Sequence, residues 1–332
     1  MNLTNSNFQD IPWNDITSFG QKTMLGNPLF SVSWILGRFC NYNCSYCWPY
    51  ARSNKVDHYD LDLYKKTIDE IKKQARQNGF IDFHFSFSGG EPTAYKDFLN
   101  LIEYYSSDIE PKYQSFHMTS NCSPGIKWWK RLVSKLFLLD RASVTASFHS
   151  EFANEIEFSE KLLFLIENQV YVTVNQVMVP DRFYEYYARC ERFHKLGIPV
   201  TLKPQSNDTA TEIVQGYTNE MIDIMQIGFP QHDKTNAVFQ IELKDSNGNR
   251  YDFDQAERFN AFGFNKFKGW KCNSGYQSII IRGNEVKRSY SCHDNSLGNL
   301  ETGFKLFDNP RICITNSCVS SADSKVPKCK II

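Results

Sequence analysis

Six short apolar runs alternate with helix-period segments between Leu29 and Pro204, and no other feature limits the fold of this chain so sharply. The runs are LFSVSWIL (29–36), IDFHFSFS (81–88), 115–119, ASVTASF (142–148), VYVTVNQVMV (170–179) and 199–204. The helix-period segments lie at 61–77, 95–105, 126–138, 154–168 and 181–196. Strands alternating with helices of this length form βα units around a parallel sheet. Six strands are too few for an ordinary eight-stranded barrel. The pattern therefore predicts an α/β fold built on an open, partial (β/α)6 barrel. Ligands of such sheets gather at the carboxyl ends of the strands. A cysteine group, Gly89-Gly90-Glu91, Asn121, Ser147 and His149 all fall at those ends.

The rhythm stops after residue 204. Residues 205–268 read as a bridging region with a helix near 218–228 and a hairpin over 237–253, turning at Ser246-Asn247-Gly248-Asn249. Residues 269–332 read as a small cysteine module with a hairpin over 276–288 that turns at Gly283-Asn284. Residues 1–28 are expected to be a polar, irregular lead-in, and 29–204 the barrel.

Charge and length exclude several classes. Lys plus Arg and Asp plus Glu each number 37, so no general nucleic-acid binding is expected. No apolar run reaches the length of a membrane span and the N-terminus lacks a signal-peptide pattern, so the chain is expected to be cytoplasmic. There, clustered cysteines bind metal or do chemistry more often than they form disulfides. Cys40, Cys44 and Cys47 fall within eight residues, and Cys272, Cys292, Cys313, Cys318 and Cys329 fill the C-terminal part. Three thiolates on one loop can hold one face of an iron–sulfur cube and leave an iron open. A zinc knuckle usually has CxxC pairs or a histidine. Spacing alone leaves iron–sulfur, zinc and no site as alternatives.

The CxxxCxxC loop after the first strand, with Ser88-Gly89-Gly90-Glu91-Pro92-Thr93 after the second, resembles the radical S-adenosylmethionine (SAM) superfamily. The resemblance implies a SAM-binding [4Fe–4S] cluster on Cys40, Cys44 and Cys47, with SAM on the open iron. It implies SAM contacts from Gly89, Gly90, Glu91 and Pro92, and from Tyr46 near adenine. Asn121, Ser147, His149 and Asn175 stand where the family places further contacts to the cofactor. Cys122 occupies a common glycine position, and its thiol is also a candidate hydrogen-atom donor. Cys190 reads as buried structure.

The C-terminal pattern, Cys272-x2-Gly275 to Cys292 with Gly298-Asn299 beyond, resembles the start of twitch and SPASM modules. It implies an auxiliary [4Fe–4S] cluster on Cys272, Cys292, Cys313 and Cys318, with Cys329 as alternative ligand. Zinc is the alternative here too. A full SPASM module carries more cysteines, so one cluster is expected.

The family resemblance implies reductive cleavage of SAM to a 5′-deoxyadenosyl radical, which takes a hydrogen atom from a substrate C–H bond. An oxidoreductase or isomerase-type outcome is expected on a sugar, amino sugar or nucleotide, because 28 residues before the first strand are too few for a peptide-leader domain. A ribosomal peptide or protein substrate is the alternative. A reductase with flavodoxin, or a ferredoxin, is the expected electron donor. An iron–sulfur electron carrier that never cleaves SAM is the reading from another class.

Overall fold

The computed structural model describes residues 11–22, 28–209, 212–230, 240–253 and 263–331. Six strands, β2 (Leu29–Ile35), β3 (Asp82–Ser88), β4 (Gln114–Ser120), β5 (Arg141–Phe148), β6 (Tyr171–Met178) and β7 (Val200–Pro204), pair in parallel in chain order. Helices α1 (Leu61–Gln77), α2 (Phe98–Ser106), α3 (Ile126–Leu136), α4 (Glu155–Glu167) and α5 (Phe183–Lys195) connect them.

Alternation divides the sheet into two chemically different faces. Val32, Trp34, Phe83, Phe85, Phe87, Phe116, Met118, Val144, Val172 and Val174 point one way and are buried. They pack with Tyr64, Ile68, Leu101, Trp129, Leu162 and Phe193 from the five helices into one core. Ser33, Ser86, His117, Thr119, Thr145, Thr173 and Asn175 point the other way and stay half-buried.

The sheet is longer than the sequence pattern suggests. Of the hairpin expected over 276–288, β11 (Ser278–Arg282) lies parallel to β2, with Ile279 beside Val32 and Ile281 beside Trp34. β12 (Glu285–Lys287), β13 (Ser296–Asn299) and β14 (Gly303–Phe304) continue antiparallel. The result is an open ten-stranded sheet running from β14 to β7. The Ile-Ile-Ile run of β11 is buried on both faces, which suits a parallel interior strand as well as a hairpin.

Within the lead-in, the described residues 11–22 are not irregular. β1 (Ile16–Lys22) sits inside a second, six-stranded sheet, between β16 (Lys328–Cys329) and β8 (Gln240–Asp245). β9 (Arg250–Phe253) completes the hairpin with β8, and β10 (Lys271–Cys272) and β15 (Arg311–Ile312) finish the other edge. Ile16 and Phe19 are both buried although they are three residues apart. An irregularity between Ile16 and Ser18 shifts the register, and that shift hides the strand from a two-residue periodicity. α6 (Asn219–Ile227) caps its start with Thr218. Part of the aromatic stretch 259–270 lies outside the described residues; within it Phe264 stacks on Trp13 at 4.1 Å.

Candidate active site and cysteine clusters

The Cys40–Cys47 loop leaves the carboxyl end of β2 and is tied to three neighbouring strand ends. Asp57 accepts from the backbone N–H groups of Arg38 (2.8 Å) and Phe39 (3.0 Å). The Cys40 N–H donates to Ser53 O (3.2 Å). Asn41 donates to Ser123 Oγ (2.9 Å) and accepts from Asn121 Nδ2 (2.9 Å), both just past β4. Glu151, beyond β5, accepts from Ser45 N (2.9 Å) and Ser45 Oγ (2.5 Å). Tyr46 Oη and His149 Nδ1 are 2.9 Å apart. Asp57 and Glu151 are functional supports that motif reading missed, because neither belongs to a spaced pattern.

The three thiols share one electrostatic environment. Burial pushes Cys44 up to about 12, with Glu151, Cys47 and Cys40 adding to it. Cys40 is raised first by burial, and Cys47 by burial. Thiolates there need a cationic partner, and binding a metal centre releases their protons. Asn121 Nδ2 also approaches Cys40 Sγ at 3.9 Å.

The glycines of Ser88–Thr93 serve this loop directly. Gly90 N–H donates to Gly37 O (2.9 Å) and Glu91 N–H to Phe39 O (2.8 Å). A Cβ on Gly90 would lie 2.2 Å from Phe39 O, and one on Gly89, at φ +135°, 2.3 Å from Gly37 O. Close approach is therefore required, first of all to the cysteine loop's own backbone. Glu91 is only 1% exposed. Its Oε1 accepts from Thr93 N (3.0 Å), Thr93 Oγ1 (2.7 Å) and Ser120 Oγ (2.8 Å), and its Oε2 from Asn121 N (2.6 Å). Burial raises its pKa, against the pull of those bonds. Every carboxylate contact is internal, so Glu91 ties the end of β3 to the end of β4. Pro92 starts the short 3-10 turn that follows.

Cys122 takes φ 55°, the left-handed conformation that glycine usually supplies, so the turn after β4 keeps its shape. Its thiol is 1% exposed and faces Ser120 O at 3.8 Å. Burial raises its pKa. That places it in the helix-side core rather than on the polar face. Ser147 and Asn175 are register partners on the polar face, whereas Gln176 points to the other face and is fully buried. Burial lowers His149 to about 4, so its imidazole is neutral near pH 7.

The same polar face carries two histidines, His84 within the phenylalanine alternation of β3 and His117 on β4. His84 Nδ1 is 2.8 Å from Ser115 Oγ, and His117 Nδ1 is 2.8 Å from Ser143 Oγ. Burial, with Lys325 nearby, lowers His117 to about 4. The signal was present: His84 and Ser86 fill the positions between the phenylalanines, and Ser88 follows them.

Comparison with known proteins decides the family. The model of the radical SAM superfamily matches residues 34–213, more than half the chain. This chain belongs to the radical SAM superfamily. Its fold is similar to that of anSMEcpe solved with bound AdoMet: TM-score 0.53 and 15% identity, covering 83% of this chain and 79% of that one. A structure of anSMEcpe with AdoMet and the Cp18Cys peptide gives TM-score 0.53 and 14% identity, covering 84% and 79%. At these identities the likeness shows the fold. A segment is also 35% identical over 82 residues to the GTPase Obg of Brachyspira hyodysenteriae, spanning 24% of this chain and 12% of that protein. So short a span says nothing of activity. Among the described residues no helix is long and apolar enough to cross a membrane.

A second group of thiols lies at and beside the β10 edge of the six-stranded sheet of this radical SAM protein. Cys272 ends β10, and Cys313 follows β15, with its N–H donating to Trp270 O (2.7 Å). Cys318 N–H donates to Asn265 O (2.8 Å), and Cys292 N–H to Ser289 Oγ (3.2 Å). All four cysteines are buried. Cys313 is raised by burial, then by Cys272 and Cys292. Cys318 is pushed up to about 12 by burial, with Cys272 and Cys313 adding. Cys329 differs from this set in register. Cys272 pairs with Lys328, and Cys329 pairs with Lys271. Neighbours on a strand face opposite sides, so Cys329, exposed, faces away from Cys272. Among the described residues no three His, Cys, Asp or Glu side chains are placed to hold a single metal ion.

Proposed function

We propose that this chain is a SAM-cleaving enzyme with two [4Fe–4S] centres. Cys40, Cys44 and Cys47 would hold the first and leave one iron for SAM; Cys272, Cys292, Cys313 and Cys318 would hold the second, in a twitch-like module. When bound, the first cluster and SAM together supply a 5′-deoxyadenosyl radical for hydrogen abstraction from a C–H bond. The carrying observation is the pinning of one three-cysteine loop by the ends of β3, β4 and β5. The donor sets fit: three thiols leave an iron position free, and four all-cysteine ligands close a cube.

The protein's own residues prepare that site. Glu91 locks Asn121 and the Gly89-Gly90 turn against the loop. Tyr46 and neutral His149 close one side. Ser147 and Asn175 present polar groups on the polar face of the open sheet. The polar inner face carries Ser, Thr, His and Asn side chains, which suits a hydroxyl- or amino-bearing small molecule. A peptide substrate is the second reading, favoured by the fold likeness to anSMEcpe, solved with the Cp18Cys peptide.

Anaerobic reconstitution tests the cluster assignment. Wild type should hold about eight irons and the Cys40→Ala/Cys44→Ala/Cys47→Ala variant about four; zinc in place of iron would refute it. Substrate class follows from dialysed anaerobic extracts. Stimulation of deoxyadenosine formation by the diffusible fraction supports the small molecule, and by the retained fraction the peptide.

A further inference from the structure

We propose that Lys328 raises the reduction potential of the auxiliary cluster through its charge. The inference rests on the four-cysteine assignment made above. Lys328 is the cross-strand partner of Cys272 and shares its buried face. It is 3% exposed, which is unusual for lysine. Its Nζ donates to the carbonyls of Asp323 (2.7 Å), Val326 (2.7 Å) and Ser324 (3.4 Å). It lies over the rings of Phe267 (4.7 Å) and Phe19 (5.4 Å). Those two rings pack in one cluster with Cys272, Cys313 and Cys318.

Carbonyl oxygens and ring faces stabilise a cation without neutralising it. All three hydrogen-bond acceptors are neutral carbonyls, so no carboxylate among them offsets the ammonium. Its donors are also spent on carbonyls, so it acts on the sulfurs through space. Reducing a four-thiolate [4Fe–4S] centre by one electron adds one negative charge to it. A fixed, desolvated cation favours that reduced state, and charge and solvent exposure are among the main determinants of such potentials. Asp323 supplies a control of opposite sign. It is 3% exposed, and its carboxylate accepts from Ser291 N (2.8 Å) and Tyr290 N (3.2 Å). It lies near Cys318, as Lys328 does.

The test uses the full chain with Cys40, Cys44 and Cys47 replaced by alanine, so that only the auxiliary centre loads. Its potential is read by anaerobic redox titration followed by electron paramagnetic resonance. Lys328→Gln should keep about four irons and lower the reduced-to-oxidised ratio at a set potential by about tenfold, a 59 mV shift for one electron. Lys328→Arg should stay near the parent value. Lys328→Gln with its iron intact and its potential unmoved overturns the inference and leaves the cluster assignment standing. Absence of iron from the parent overturns that assignment instead. Should Lys328→Gln fail to load, Asp323→Asn decides: the potential should rise about tenfold in the same ratio, and an unmoved potential overturns the inference.

Discussion

Replacing Glu91 tests how the site is assembled. The carboxylate accepts four hydrogen bonds, two from backbone N–H groups (Thr93, Asn121) and two from hydroxyls (Thr93, Ser120). In Glu91→Ala the hydroxyls can rotate toward other acceptors, but the two N–H groups cannot. Each buried orphan costs about 1–3 kcal/mol, so the variant should lose about 2–6 kcal/mol. Glu91→Gln keeps an oxygen at the Oε1 position and turns an amide NH2 toward the Asn121 N–H, losing one bond. It also removes an ionised group that burial disfavours, so its loss should sit near the low end, about 1 kcal/mol. Urea unfolding of the metal-free protein gives the totals, and hydrogen exchange at the Thr93 and Asn121 amides gives the location. Protection should fall at both amides in Glu91→Ala. An alanine variant within about 0.5 kcal/mol of wild type, with both amides still protected, would refute the claim that Glu91 joins the strand ends.

Three further outcomes are expected. Gly90→Ala places a Cβ 2.2 Å from Phe39 O; iron in the anaerobically reconstituted protein should fall by about four while the C-terminal set stays loaded, as elemental analysis would show. Cys329→Ser should leave iron unchanged, whereas Cys318→Ser should lose about four; equal losses would contradict the strand register. Glu155, held below the usual carboxylate range first by its hydrogen bond to Arg192, joins α4 to α5. Its depressed pKa stabilises the fold above the unfolded value near ~4.3 and loses that contribution as pH falls through the folded one. Urea midpoints of Glu155→Gln should therefore trail wild type by up to about 1 kcal/mol at neutral pH and converge with it in acid.

Much of the architecture was legible because its signals are local. The helices and strands of 29–204 come from apolar periodicity, and the cysteine and glycine motifs come from spacing. What escaped depends on long-range pairing. β1 was hidden by a register shift, and β11, which forms the expected hairpin with β12, also pairs across the chain with β2. That Cys329 lies out of phase with Cys272 is likewise visible only in the strand register. Asp57, Glu151 and Lys328 have no motif at all: each matters through what folding brings to it. The bonds from the Glu91 carboxylate to Ser120 and Asn121 likewise depend on folding, which brings the end of β4 to it.

Formation of 5′-deoxyadenosine tests the central claim most directly. Reconstituted wild type, given dithionite and SAM without oxygen, should produce 5′-deoxyadenosine and methionine, while the Cys40→Ala/Cys44→Ala/Cys47→Ala variant should produce neither. Equal amounts from both proteins would contradict the assignment of SAM cleavage to the Cys40–Cys47 loop. A fully loaded wild type that leaves SAM intact, even with substrate-containing extract, would make the chain an iron–sulfur carrier instead.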